Sequence, residues 1–210
     1  MALEELKDKI TCGRMEEAVA IVKEALEAGE APEDLINQHL VKGMEEVGRR
    51  YEEGKAFVPN LLLAARAMKG CLEILSPLLK DASSTTLGTV VIGTVQGDLH
   101  DIGKNLVASM LEGCGFKVIN LGVDVSADKF IDAVKENKAD ILCLSALLTT
   151  TMNYMKNVID AFEAAGLRDT VKIMVGGAPV SQEFADKIGA DGFSMNANGA
   201  VLTAKALLGI

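Results

Sequence analysis

The chain has 210 residues, 49% of them apolar and 24% charged, enough for one large or two modest globular domains with a real core. A net charge of −9 disfavours nucleic acid and anionic membrane surfaces as partners, since both need a basic face. No apolar run approaches the roughly 18 residues that span a bilayer, and the acidic, amphipathic start "MALEELKDKI" lacks the basic head and apolar centre of a signal peptide. A cytoplasmic location is expected. Aromatics are 4% and tryptophan is absent, so the core must be built from Ala, Val, Ile, Leu and Met.

The first eighty or so residues read as helices only. A short helix over 2–10 leads into "RMEEAVAIVKEALEAG", where Met15, Ala18, Val19, Val22 and Leu26 share one helical face and Gly29 ends the run. Pro32 suits a first helical position and opens a second stripe of Leu35, Ile36, Leu40, Met44 and Val47. After the break at "YEEGKAF", "VPNLLLAARAMKGCLEILSPLLK" is apolar on more than one face, as a helix central to a bundle should be. A four-helix bundle over 1–82 is expected, followed by a linker at 83–88 within the small, polar "DASSTTLG".

From residue 89 to 210 the period changes. Short β-branched runs, "TVVIGTV", "KVINLG", "DILCLSAL", "VKIMVGG" and "GFSM", alternate with helical stretches near 103–114, 127–137, 152–165, 182–188 and 197–208. Five such pairs predict a parallel sheet covered on both faces, with flavodoxin-like strand order 2-1-3-4-5. Ligands of such folds bind beyond the carboxyl ends of the strands, where the order reverses. That point lies between the first and third strands, at the loops "QGDLHDIG" and "SALLTTT".

The first of these loops holds His100, one of two histidines. A satisfied surface or core histidine is the plain alternative, but a switch-point loop carries function more often than packing. A metalloprotease reading needs a second histidine at helical spacing, and His39 is far away and reads as structural. Glycines at 93, 97 and 103 match neither a dinucleotide nor a Walker loop. A receiver domain would leave the histidine unexplained and would want a lysine after the last strand. A single histidine can, however, ligate a metal that brings its own equatorial ligands, such as a macrocycle. Its other ring nitrogen then needs an acceptor, which Asp98 can supply, while Gly103 lets the helix start approach the ligand. The four cysteines are scattered without a C-x-x-C, and Cys71, Cys114 and Cys143 stand in apolar contexts that suit buried thiols.

Three elements in chain order then resemble those of cobalamin-binding domains. "GDLHDIG" (Gly97, Asp98, Leu99, His100, Asp101, Ile102, Gly103) resembles their D-x-H-x-x-G signature. "SALLT" (Ser145, Leu147, Thr149) resembles their S-x-L element, and Gly176-Gly177 their later glycine pair. "MNANGA" resembles a segment lining the tail pocket, with Ala197 at its contact position. The resemblance implies a base-off cofactor whose nucleotide tail enters a slot beside the sheet. His100 would be the axial cobalt ligand and Asp98 its partner, with Thr151 at the position of a serine that extends the relay. Ser145 and Thr149 would contact the tail, and Gly176 and Gly177 would leave room for its base. For Asp101 a place facing the helix N-terminus is expected, where negative charge is favourable.

The helical half, in "KGMEEVGRRYEEGKAFVPNLLLAARAMK", resembles the cap of methionine synthase and of corrinoid methyl-carrier proteins. Tyr51 and Val58 align with the aromatic and aliphatic residues that cover the methyl group there, and Asn37 with a cofactor-contacting glutamate. The implied activity is that of a carrier cycling between methyl-cobalt(III) and cobalt(I), with no catalysis alone. Its partners would be a substrate:corrinoid methyltransferase, a second methyltransferase to folate or thiol, and a reductive activator. The alternatives are a cobalamin-dependent sensor, which usually carries a DNA-binding helix-turn-helix, and the small subunit of a radical mutase, which covers its cofactor with a separate barrel.

Overall fold

The computed structural model describes residues 2–78 and 86–210; residues 83–85 of the expected linker lie outside them. The chain forms two compact units, Met1–Thr86 together with Glu112–Gly115, and Leu87–Leu111 together with Phe116–Ile210.

The first unit is helical: α1 (Ala2–Thr11), α2 (Met15–Glu27), α3 (Pro32–Asp34), a π-helical stretch Leu35–Leu40, α4 (Val41–Glu52) and α5 (Val58–Leu75). The π stretch departs from the regular helix expected over this segment. Leu35 and Leu40 are both buried yet five residues apart, which an α-helix would set roughly 140° apart. The wider π turn brings residues five apart onto one face, so both can enter the core. At the start of α5 the Asn60 side chain accepts from the Phe57 N–H (2.8 Å), and Pro59 occupies the first turn. The α-helix stops at Leu75 and tightens into a 3-10 turn over Ser76–Leu78, since Pro77 has no N–H to donate to the preceding turn; residues 79–80 of the expected run lie outside the described residues.

The second unit is a five-stranded parallel sheet in the order β2-β1-β3-β4-β5, the order expected. The strands are β1 (Thr89–Thr94), β2 (Lys117–Asn120), β3 (Ile141–Ser145), β4 (Lys172–Gly176) and β5 (Gly192–Ser194). The helices are α6 (Ile102–Gly113), α7 (Ala127–Asn137), α8 (Thr149–Met152), α9 (Tyr154–Ala164), α10 (Gln182–Ile188) and α11 (Ala197–Leu208). Right-handed crossovers place α7, α9 and α10 on one face, and α6, whose connection runs the other way, on the opposite face. The three inner strands are buried almost throughout, whereas the edge strand β2 is not, as a sheet covered on both sides requires. Phe130, Phe162, Val158 and Ile159 from α7 and α9 pack with Val91, Leu142 and Ile173 of the sheet. The helix expected over 152–165 is two pieces, α8 and α9, meeting at Asn153. Among the described residues no helix is long and apolar enough to cross a membrane.

Candidate corrinoid site

Parallel strands all end on one edge of the sheet, so the loops after β1, β3, β4 and β5 converge there. Val95 extends β1 by donating its N–H to the Ser145 carbonyl, which locks the first loop to the end of β3. Gly97 then turns the chain with φ +85°, a conformation that L side chains rarely adopt.

Asp98 follows and is fully buried. Its Oδ1 accepts from the His100 backbone N–H (3.0 Å) and stands 2.7 Å from His100 Nδ1. Its Oδ2 accepts from the backbone N–H groups of Leu147 (2.8 Å) and Leu148 (3.3 Å) and from the Thr151 hydroxyl (2.6 Å). Burial alone would push this carboxyl up. The bonds from Thr151, His100 and Leu147 to its charged form outweigh that and hold it well below the usual carboxylate range. A carboxylate can only accept, so the proton between the pair belongs to His100 Nδ1. In the neutral imidazole the lone pair is therefore on Nε2, which has no partner among the described residues. The side chain is half exposed.

The expected site residues fall as follows. Leu99, His100, Asp101, Ile102 and Gly103 lie on the loop after β1 and the first turn of α6. Ser145, Leu147 and Thr149 lie at and just past the end of β3, Gly176 and Gly177 at the end of β4, and Ala197 is the first residue of α11. Asp101 precedes α6, and its Oδ2 accepts from the Asn105 side chain (2.9 Å). Leu99, Ile102, Leu147, Leu148 and Met195 are large apolar side chains left exposed along this edge. Tyr51 and Val58 stand near the end of α4 and at the start of α5, both partly exposed.

The glycines differ in what demands them. A Cβ on Gly177, where φ is +130°, would lie 1.8 Å from the Ala146 carbonyl oxygen, so the fold itself requires this glycine. One on Gly176 would come within 3.3 Å of the Ser194 carbonyl oxygen, and one on Gly103 would meet nothing within 4 Å. No neighbour among the described residues calls for Gly103, and the space beside it is open.

Several residues escaped the sequence reading. Thr94, buried at the end of β1, donates its hydroxyl to the His100 carbonyl (2.9 Å). Asp124, at φ 53°, accepts from the Gly97 N–H (2.7 Å), and its own N–H reaches the Asp98 carbonyl (3.1 Å). The Tyr154 hydroxyl donates to Gln96 (2.6 Å). A polar residue closing an apolar strand was the available signal for Thr94; for Asp124 and Tyr154 there was none.

These residues fit a corrinoid. They offer one accessible ring nitrogen with its tautomer fixed, an apolar rim, and an open place beside Gly103. Among the described residues no group of three or more His, Cys, Asp or Glu is placed to hold a metal ion.

Comparison with known proteins agrees. Residues 88–202 and 2–76 each match a family model described as a B12 binding domain. The chain is 48% identical over 204 residues to trimethylamine corrinoid protein 2 of Methanosarcina mazei, covering 96% of this chain and 94% of that one. It is 47% identical over 208 residues to the dimethylamine corrinoid protein of Methanosarcina barkeri, covering 98% and 97%. Among solved structures it resembles a cobalamin-binding protein from Desulfitobacterium hafniense (TM-score 0.84, 32% identity, 98% of each chain). It also resembles a chain of the methanol:cobalamin methyltransferase complex MtaBC from Methanosarcina barkeri (TM-score 0.84, 35% identity, 99% of this chain and 80% of that one). The chain belongs to the B12-binding corrinoid protein family.

Proposed function

We propose that this protein carries a methyl group on the cobalt of a corrinoid, passing it between partner methyltransferases. Cobalamin, when bound, supplies a metal that accepts and releases the methyl group. The observation that carries the reading is the half-exposed His100, its Nδ1–H held by the buried Asp98 and its Nε2 left available. His100 is the proposed lower axial ligand. Asp98 orients the ring and fixes its tautomer, and Thr151 steadies Asp98 as the third member.

Gly97, Leu99, Asp101, Ile102 and Gly103 form the proposed contact loop. Ser145, Leu147, Thr149, Gly176, Gly177 and Ala197 are the proposed tail contacts, supported by their common edge of the sheet. Gly177 also has a role within the fold itself. Tyr51 and Val58 keep their proposed covering role, which rests on the family resemblance. A division into a helical domain over 1–82, a linker over 83–88 and a cobalamin domain over 89–210 is supported by family matches that end at 76 and begin at 88.

Relatives matched over nearly the whole chain are trimethylamine and dimethylamine corrinoid proteins, which supports a methylamine:corrinoid methyltransferase as the first partner and does not favour the sensor or mutase readings. The similar chain of a methyltransferase complex supports direct docking of such a partner. A second methyltransferase to folate or thiol, a reductive activator and a cytoplasmic location complete the reading, supported by the need to keep cobalt reduced.

The test is His100→Ala loaded with cobalamin. The corrinoid should stay bound with an altered visible spectrum and slowed methyl transfer. An unchanged spectrum would overturn the axial assignment.

A further inference from the structure

Lys104 is the least expected side chain near the site. It sits in the first turn of α6, where a cation opposes the helix dipole, and it is 3% exposed. Burial pushes its ammonium down, against the attraction of Asp101. A methionine would fill the same space without either cost.

Its Nζ donates to Asn120 Oδ1 (2.6 Å) at the end of β2, an oxygen that also accepts from the Gly122 N–H (3.1 Å). With two donors on its oxygen, the Asn120 amide must turn its NH₂ the other way, and it donates to Asn105 Oδ1 (3.0 Å). Asn105 in turn aims its NH₂ at Asp101 Oδ2 (2.9 Å), while its backbone N–H reaches the Asp101 carbonyl (2.7 Å). The chain runs from a cation to a carboxylate, and neither amide can flip without losing a bond at both ends. It ends one residue from His100, whose other side is held by Asp98 and Thr94.

We propose that Lys104 is a positioning residue for the corrinoid site, acting through Asn120 and Asn105 to hold Asp101 and with it the loop that presents His100. This rests on the reading of His100 as the axial ligand. The relay sets the loop from the β2 side, so severing it loosens the imidazole without touching a ligand.

The test uses the full chain loaded with cobalamin and reduced to cobalt(II). Electron paramagnetic resonance at fixed pH, on chain labelled with 15N-histidine, then reads the ratio of His-on to His-off. The readout is the two-line nitrogen splitting of the cobalt signal, which the cofactor's own 14N base, giving three lines, does not produce. Lys104→Met and Asn105→Ala should each lower that ratio by about threefold or more, the worth of one modest hydrogen bond, with cobalamin still bound. The double variant should fall no further than the more affected single, because both break one chain. Single variants that only melt earlier, with the ratio unmoved, overturn the relay, as does a double variant equal to the product of the singles. If Lys104→Met does not fold, Asn105→Ala decides alone. A wild-type protein without the two-line splitting overturns the axial reading and the relay together; splitting present but unmoved in the variants overturns the relay only.

Discussion

The Thr151 hydroxyl donates a 2.6 Å hydrogen bond to Asp98 Oδ2 across 53 positions of sequence. A hydroxyl has one proton, and the Leu148 carbonyl at 3.1 Å is the competing acceptor, so the shorter bond to the charged oxygen is the one that holds. This bond ties α8 to the loop after β1, on the carboxylate that also faces the histidine.

Removing that donor leaves a buried charge short of one partner. Thr151→Val should destabilise the apo protein by about 1.5–3 kcal/mol, the range for hydrogen bonds to charged groups. Thr151→Ser should recover most of the loss. Urea unfolding of the three proteins at neutral pH checks this, and equal midpoints for Val and wild type would contradict it.

The sign of the pH dependence follows from the lowered Asp98 carboxyl. A group whose folded value is depressed contributes stability that is complete above its unfolded value, about 3.9, and is lost as pH falls toward the folded value. The gap in stability between wild type and Thr151→Val should therefore be constant from pH 7 to about 5 and close as acid protonates Asp98. A gap that widens below pH 4 would show that Thr151 acts otherwise.

Two glycines should separate fold from ligand. Gly177→Ala forces a Cβ against the Ala146 carbonyl at a φ of +130° and should cost about 3 kcal/mol or more, from strain and overpacking together. Gly103→Ala meets no protein atom and should change apo stability by less than about 1 kcal/mol, toward the stable side. Its effect should be on cobalamin uptake, read by titration of the visible spectrum.

Thiol chemistry offers a check on packing. Cys12 is exposed, whereas Cys71, Cys114 and Cys143 are buried, and burial pushes the Cys71 and Cys143 thiols up to about 12. A native chain should release about one equivalent of chromophore from a disulfide reagent at neutral pH, and all four only after unfolding. Rapid reaction of Cys143 in the native chain would contradict the buried β3.

Much of this was legible in the sequence because the signals are local. Alternating β-branched runs and amphipathic stretches announce a parallel α/β sheet. A histidine two residues after an aspartate on the loop that follows its first strand announces a candidate ligand site. Helix ends were less legible: Pro77 cut α5 short, and the spacing of Leu35 and Leu40 imposed a π turn.

The sequence by itself determined the order of the elements, the sheet edge that carries the candidate site, and the Asp98–His100 pair, since each depends on residues a few positions apart. Only the tertiary structure decided what surrounds that pair. Asp124, Thr151 and the Lys104–Asn120 contact join segments 16 to 53 positions apart, brought together by the sheet's 2-1-3 order, while Thr94 reaches His100 across the turn between them. It also separated Gly177, which the backbone of Ala146 requires, from Gly103, which no neighbour among the described residues requires. Hydrogen bonds and close approaches of this kind depend on distances in space, and residue spacing along one chain does not encode them.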